Sequence, residues 1–330
     1  MRVFLTHNPE DREAYYGRAL VELEKVAEVV LNPNDGDLTT AELINAAAGC
    51  HVIVAHRATP GEAEVFEQLP DLIAFLRSAV DISTIDVDTA TEHGVLVAHA
   101  DKSFVASTAE LALGLYLDVV RNIARSTVDY QRGDEPSQRP GLQIRGKTAG
   151  IIGFGAIGSY LAEILDALGL TILVHDPFVD VPEPFEQLAL DPLLEHSDVV
   201  FPLAPANPAT ENFIGEHELA VMKPHAVLIN VSRGELLDED AVFAALDAGR
   251  LGGLGIDVGR AADQRPTLAL AERHDVVATP HLGGLTPENA DAQAQSSVDQ
   301  VVAMINTQVP PRSVNAESAS RLAAYWEQSP

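Results

Sequence analysis

Residues 150–176 read GIIGFGAIGSYLAEILDALGLTILVHD. An apolar run (Ala149, Ile151, Ile152) leads into Gly153-Phe154-Gly155-Ala156-Ile157-Gly158. Helix-forming residues follow, and a second apolar run, 171–174, ends on His175-Asp176. Strand, tight turn, helix, strand and acid in that order specify a βαβ unit with a phosphate-binding edge. Gly153 permits a turn that a side chain would forbid, Gly155 lets a pyrophosphate approach the backbone, and Gly158 lets the helix pack closely on its strand. The first helical N–H groups, at Ala156 and Ile157, present partial positive charge to phosphate. Asp176, 18 residues beyond Gly158, is placed to accept from ribose hydroxyls and to repel a 2′-phosphate. The stretch therefore predicts a dinucleotide site that favours NAD over NADP.

The rest of the chain continues the alternation. Strands are expected at 2–6, 26–31, 51–55, 72–76 and 95–98, with helices at 11–25, 40–48 and 87–92. The Thr39-Thr40 pair and Asp86 act as caps and Gly94 as a stop. One long helix is expected over 103–126, apolar at Val105, Ala109, Leu113, Tyr116, Leu117 and Val120, and a polar arm over 131–146. After Asp176, strands are expected at 198–201, 226–230, 253–257 and 276–278. Helices are expected near Leu193 and over 216–222 and 238–248, with a last long one from Pro287 to about residue 306. Strands alternating with helices imply parallel sheets covered on both faces, an α/β architecture. At 330 residues the chain has room for two such domains.

Composition narrows the partners. With 21 Lys and Arg against 49 Asp and Glu, the net charge is −28, and the only lysines are Lys25, Lys102, Lys147 and Lys223. No basic stripe is available to neutralise phosphates, so nucleic acid is not an expected partner. So acidic a surface is either simply very soluble or adapted to high salt, where self-repulsion is screened. No apolar run reaches membrane-spanning length, and residues 2–6 read as a strand rather than a signal-peptide core. The single Cys50 excludes an internal disulfide. No membrane association and a cytoplasmic location are the expectation.

Ligands of doubly wound sheets lie at the carboxyl ends of the strands, which here fall after Asn230, Asp257 and Ala278. Three polar clusters stand there: Val231-Ser232-Arg233-Gly234, Gly259-Arg260-Ala261-Ala262-Asp263, and Thr279-Pro280-His281-Leu282-Gly283-Gly284. An Arg, a carboxylate and a His converging on a nicotinamide suit hydride transfer at a carbonyl. Arg233 would hold a substrate carboxylate or polarise the carbonyl. His281 would exchange a proton with the oxygen, and Asp263 would orient and charge the imidazole.

These motifs resemble the D-isomer-specific 2-hydroxyacid dehydrogenases, a family that includes phosphoglycerate, glycerate, D-lactate, formate and phosphite dehydrogenases. The resemblance rests on GFGAIG with His175-Asp176, on MKPHAVLINVSRGELLDEDAVFAALDAGRLGGLGIDV (222–258) and on TPHLGG (279–284). It implies two doubly wound parallel-sheet domains: a Rossmann NAD domain over 101–287, inserted into a flavodoxin-like substrate domain made of 1–100 plus 288–330, with a cleft between them. It further implies that Arg233 binds substrate and that His281 is the acid/base. Asp257 would lie by the nicotinamide carboxamide and Ser232 would belong to the cofactor site. Two copies would pair around 103–126 as a homodimer on an anionic small-molecule substrate. Formate or phosphite oxidation, kept open by Gln264, and a catalytically silent NAD sensor are the alternative readings.

Two departures bear on the substrate. Ala262 stands where the family usually has a Glu followed by Pro, which leaves Asp263, followed by Gln264, as a one-residue-shifted replacement. The family's Gly-x-Gly carboxylate-binding turn is matched by Ala79-Val80-Asp81, and an acid facing the substrate there would repel a carboxylate. Arg77, His56 and Arg57 are then the remaining candidates for anionic groups of the substrate.

Overall fold

The computed structural model describes residues 1–135, 140–261 and 263–328. Part of the expected polar arm, and Ala262, lie outside the described residues. The chain divides into two compact units, unit 1 (Met1–Ser103 with Pro287–Pro330) and unit 2 (Phe104–Thr286). The crossings at 103/104 and 286/287 compare with expected ones at 100/101 and 287/288. The later position of the first crossing has a local cause: Ser103 donates to the Asn289 side chain at 2.6 Å and so stays with unit 1.

Unit 1 is built on β1 (Arg2–Leu5), β2 (Glu28–Leu31), β3 (Val52–Ala55), β4 (Ala74–Arg77) and β5 (Leu96–His99), in the order β2-β1-β3-β4-β5. Every pairing is parallel. Successive residues point to opposite faces. Val3, Leu5, Val52 and Val54 therefore meet Val298 and Val301 of the helix Pro287–Ile305, while Phe4 and Ile53 meet Phe66 and Leu43 on the other side. β3 and β4 are buried throughout, as strands covered on both faces must be.

Unit 2 holds β6 (Thr148–Ile152), β7 (Thr171–His175), β8 (Glu186–Gln187), β9 (Val199–Pro202), β10 (Ala226–Asn230), β11 (Leu251–Ile256) and β12 (Val276–Ala278). Their order is β12-β11-β10-β9-β6-β7-β8, again parallel throughout. Helices Val105–Arg121 and Ala156–Ala167 pack on one face through Leu115, Tyr116, Leu161 and Leu165. Leu193, Leu219 and Val242 cover the other. The observed architecture is thus two doubly wound parallel-sheet domains, the second inserted into the first.

The helix expected over 103–126 is two. Val105–Arg121 stops at Asn122, which is left-handed at φ 55°, and Ile123–Arg132 restarts the chain in a new direction. Asp118 secures the break by accepting from Ala124 N at 2.8 Å. The helix expected over 11–25 is likewise interrupted, by a π-helical turn at Arg12–Tyr16. The two-residue β8 was not expected, and is too short to leave a periodic signal.

Candidate active site

Because all seven strands of unit 2 run the same way, every loop after a strand emerges on one edge. The turn after β6 is set by Gly153, whose φ of 99° is closed to L side chains. A Cβ there would also meet Ala204 N at 2.8 Å, on the loop after β9. β6 lies between β7 and β9, so this is where successive connections leave in opposite directions along the sheet and a crevice opens. At Gly158 a Cβ would meet Gly153 O at 2.1 Å, so the helix touches its own turn. At Gly155 a Cβ would meet nothing within 4 Å, and no side chain caps the helix that begins at Ala156. An open space bounded by uncapped N–H groups is what a pyrophosphate needs.

Asp176, at the end of β7, accepts from Phe154 N at 2.7 Å and from Phe178 N at 2.8 Å. It therefore stands at the mouth of the glycine turn. A carboxylate has about four lone-pair sites, so capacity for ribose hydroxyls remains. The open turn 153–158, the N–H groups of Ala156 and Ile157, and Asp176 form a donor and acceptor set that fits a dinucleotide with free ribose hydroxyls, such as NAD.

The loops after β9, β10, β11 and β12 are knitted together. Ser232 donates to Ala204 O at 3.0 Å, which joins the loops after β10 and β9. Gly234 touches the next loop so closely that a Cβ would meet Gly259 C at 2.3 Å. Asn230, wholly buried, donates to Arg233 O at 2.9 Å and accepts from Ser232 N at 3.0 Å, which fixes the backbone that presents Arg233. The Arg233 side chain is exposed and, among the described residues, bonds only its neighbour Ser232 O, at 2.8 Å. Among the described residues it has no carboxylate partner.

Asp257 has a more definite task than the expected place beside a carboxamide. It is fully buried. One carboxylate oxygen accepts from Thr279 Oγ1 at 2.6 Å and Leu282 N at 2.7 Å; the other accepts from Gly283 N at 2.8 Å. Thr108 adds a bond to Gly283 O at 3.2 Å. His281, within that loop, is left-handed at φ 63°, a conformation that surrounding bonds must impose on a residue with a Cβ.

The reading of Asp263 as the imidazole's partner needs correcting. Its exposed carboxylate accepts from Arg265 N at 3.1 Å and lies 3.5 Å from the Arg265 guanidinium, with no hydrogen bond to His281. An arginine two residues away on the same turn wins over a histidine on another loop.

Unit 1 corrects Arg77 as an anion ligand. It is wholly buried, bonding His56 O and, at 3.0 Å, Thr84 Oγ1, with its charge over the Phe75 ring. Burial pulls its pKa down to about 10, against a smaller opposite pull from Asp81. Arg77 is a tie between two loops. Ala79 is buried, and its carbonyl accepts from Ala100 N; Val80 is half-buried. Asp81 is exposed and accepts from Ser83 N at 2.8 Å, closing its own turn. Arg57 is exposed, while His56 is half-buried, its pKa held down chiefly by burial.

Asn230 and Thr108 are the residues the sequence did not disclose. A polar residue ending an all-apolar strand was a usable signal for Asn230. Nothing in the helix pattern set Thr108 apart.

Residues 113–283 match the family model described as D-isomer specific 2-hydroxyacid dehydrogenase, NAD binding domain. The chain is 30% identical over 328 residues to the glyoxylate reductase of Korarchaeum cryptofilum, covering 96% of each. It is 32% identical over 301 residues to the D-3-phosphoglycerate dehydrogenase of Methanocaldococcus jannaschii, covering 89% of this chain and 56% of that one. The chain thus spans little more than half the length of that relative. The crystal structure of Lactobacillus jensenii D-lactate dehydrogenase with NAD+ superposes with a TM-score of 0.82 at 26% identity, over 95% of this chain and 99% of that one.

Proposed function

The chain belongs to the D-isomer specific 2-hydroxyacid dehydrogenase family, and from that premise we propose that it is an NAD-dependent oxidoreductase moving a hydride between the nicotinamide and C2 of a small 2-hydroxy or 2-oxo acid. The observation that carries this reading is a shared edge: the glycine turn, Asp176, Arg233 and His281 all follow the carboxyl ends of strands in one parallel sheet.

Bound NAD supplies the hydride donor or acceptor. The remaining work falls to side chains of this chain. Arg233, exposed and without a carboxylate partner among the described residues, offers its fork of donors to the substrate carboxylate or carbonyl. His281 gives a proton to the oxygen at C2 during reduction and takes one during oxidation. Asp257 and Thr108 hold the imidazole's loop, so orientation comes through the backbone; among the described residues no carboxylate bonds the ring.

Loss of NADH absorbance with a panel of 2-oxo acids, and NAD reduction by 2-hydroxy acids, formate and phosphite, tests the reading. Turnover of at least one 2-oxo or 2-hydroxy acid is expected. Turnover of formate or phosphite alone, or tight NADH binding with no turnover at all, would overturn it.

Two copies pair through unit 2 in this reading. Ile123, Val128, Tyr130 and Leu142 are exposed apolar side chains on and near the helix Ile123–Arg132, which supports a covered face there. Sedimentation velocity should give a dimer, and Tyr130→Glu should shift it toward monomer. Among the described residues no helix is long and apolar enough to cross a membrane, and a cytoplasmic location remains part of the proposal.

A further inference from the structure

Three adjacent strands of unit 1 each deliver one metal-ligating side chain to the same edge. Asp11 follows β1, Asp37 follows β2 and His56 follows β3 directly, and these strands are neighbours in the sheet. One ligand atom from each lies within 4.8 Å of the other two. We propose that Asp11, Asp37 and His56 form a binding site for a divalent transition-metal ion of the zinc and cobalt kind, separate from the residues assigned to hydride transfer.

The spacing is right for a shared ion and wrong for direct bonding. His56 Nδ1 and Asp11 Oδ2 are 3.7 Å apart, too far for a good hydrogen bond. Two ligand atoms each about 2.1 Å from one ion stand roughly 3.4 Å apart in tetrahedral geometry, so a small contraction suits the Asp11–His56 pair, and the Asp37 ligand atom lies within 4.8 Å of both. His56 Nδ1 has only a long 3.4 Å contact from Ala58 N to give up.

The carboxylates also lack other partners. The Asp11 side chain is only 18% exposed. Among the described residues, neither its carboxylate nor that of Asp37 takes a hydrogen bond or pairs with a Lys or Arg. The nearby Arg12 spends its guanidinium on His7 O at 2.8 Å and Asn32 O at 3.4 Å. A largely buried carboxylate without donors is costly unless a cation neutralises it. Two carboxylates and a neutral imidazole balance the charge of a divalent ion, and that donor set suits zinc and its transition-metal neighbours better than calcium or magnesium.

A second, independent feature adjoins the cluster. His7 is 2% exposed, its Nδ1 has no hydrogen-bond partner among the described residues, and its ring packs edge-on against that of His56 with centroids 5.0 Å apart. Tyr15 also stacks on His56, with ring centroids 6.3 Å apart. Tyr15 is carried by the π-helical turn Arg12–Tyr16, which starts immediately after Asp11. Such turns concentrate at functional sites because they re-aim side chains. The imidazole of His56 thus touches two other rings, one of which carries a buried nitrogen without a hydrogen-bond partner.

Full-length protein, stripped with chelator and dialysed into high salt to screen the acidic surface, should be titrated with Co2+ and with Zn2+ by calorimetry. Cobalt absorption bands should be followed in parallel as a report of nitrogen ligation. One saturable site per chain is expected. Asp37 is exposed, so Asp37→Asn should fold normally and weaken binding at least about tenfold, as should His56→Gln; Asp35→Asn, on the same loop, should leave it unchanged. No saturable binding, binding unaltered in Asp37→Asn and His56→Gln, or equal loss in Asp35→Asn would overturn the proposal.

Discussion

His281 owes its position to bonds made by the backbone on either side of it. Removing the ring should therefore separate chemistry from binding. His281→Gln is expected to lower kcat by about 10²- to 10⁴-fold, while NADH affinity, read by fluorescence titration, stays within about twofold. Asp263→Asn should leave kcat and its pH profile unchanged, since that carboxylate serves Arg265; a displaced limb in the profile would return Asp263 to the mechanism. The positions of Arg233 and His281 just past strand ends were legible in the sequence because each follows an apolar strand, and strand ends are where such sheets place their chemistry. Asp263 was misread because an offset in sequence does not say which of two nearby cations captures a carboxylate. Arg77 was misread for a different reason: β4 is buried on both faces, so its pattern did not distinguish an inward arginine from one facing a ligand.

At the scale of elements, two glycines of the 153–158 turn should fail in different ways. Gly155→Ala places its methyl in open space at an ordinary φ of −77°. The melting temperature should barely move, while NADH binding weakens because the methyl occupies the phosphate's approach. Gly158→Ala drives a Cβ to 2.1 Å from Gly153 O, so it should lower the melting temperature as well as NADH affinity. Equal stability in the two variants would refute the assignment of tasks. The far end of the sheet offers a pH test. Arg273 bonds both oxygens of Asp275 at 2.8 Å, and Asp247 at 2.7 Å, just ahead of β12. The Asp275 pKa is lowered, mainly by that hydrogen bonding to Arg273. A depressed carboxylate stabilises the fold above its ordinary value of 3.8 and loses that contribution as pH falls through its folded value. Asp275→Asn should thus cost about 1–2 kcal/mol near neutrality. Its deficit in urea unfolding should shrink below about pH 4, and a constant deficit would count against the pair. Element existence was easier to read than element ends. The break at Asn122 was missed because the apolar spacing continues past it and only a single left-handed residue marks the turn.

Across the whole molecule, both parallel sheets could be read because strand and helix periods alternate throughout. The inserted arrangement could not be derived from periodicity: a chain that leaves one sheet, completes another and returns gives the same local pattern as two consecutive domains. That part came from the resemblance of long motifs. Charge is the remaining property of the whole chain, and its consequence is open to measurement. With a net charge of −28, repulsion among carboxylates opposes the compact state at low salt, and screening should relieve it. The Debye length is about 10 Å at 0.1 M and about 3 Å at 1 M salt, so simple screening is nearly exhausted below molar KCl. A surface adapted to salt should gain stability beyond that point; one that is merely acidic should level off. The melting temperature is expected to rise between low and molar KCl, and a further rise into the multimolar range would identify a salt-adapted surface. A plateau below about 1 M would reduce the acidic surface to solubility alone, and a melting temperature indifferent to salt throughout would show that the carboxylates are too well separated for their repulsion to matter.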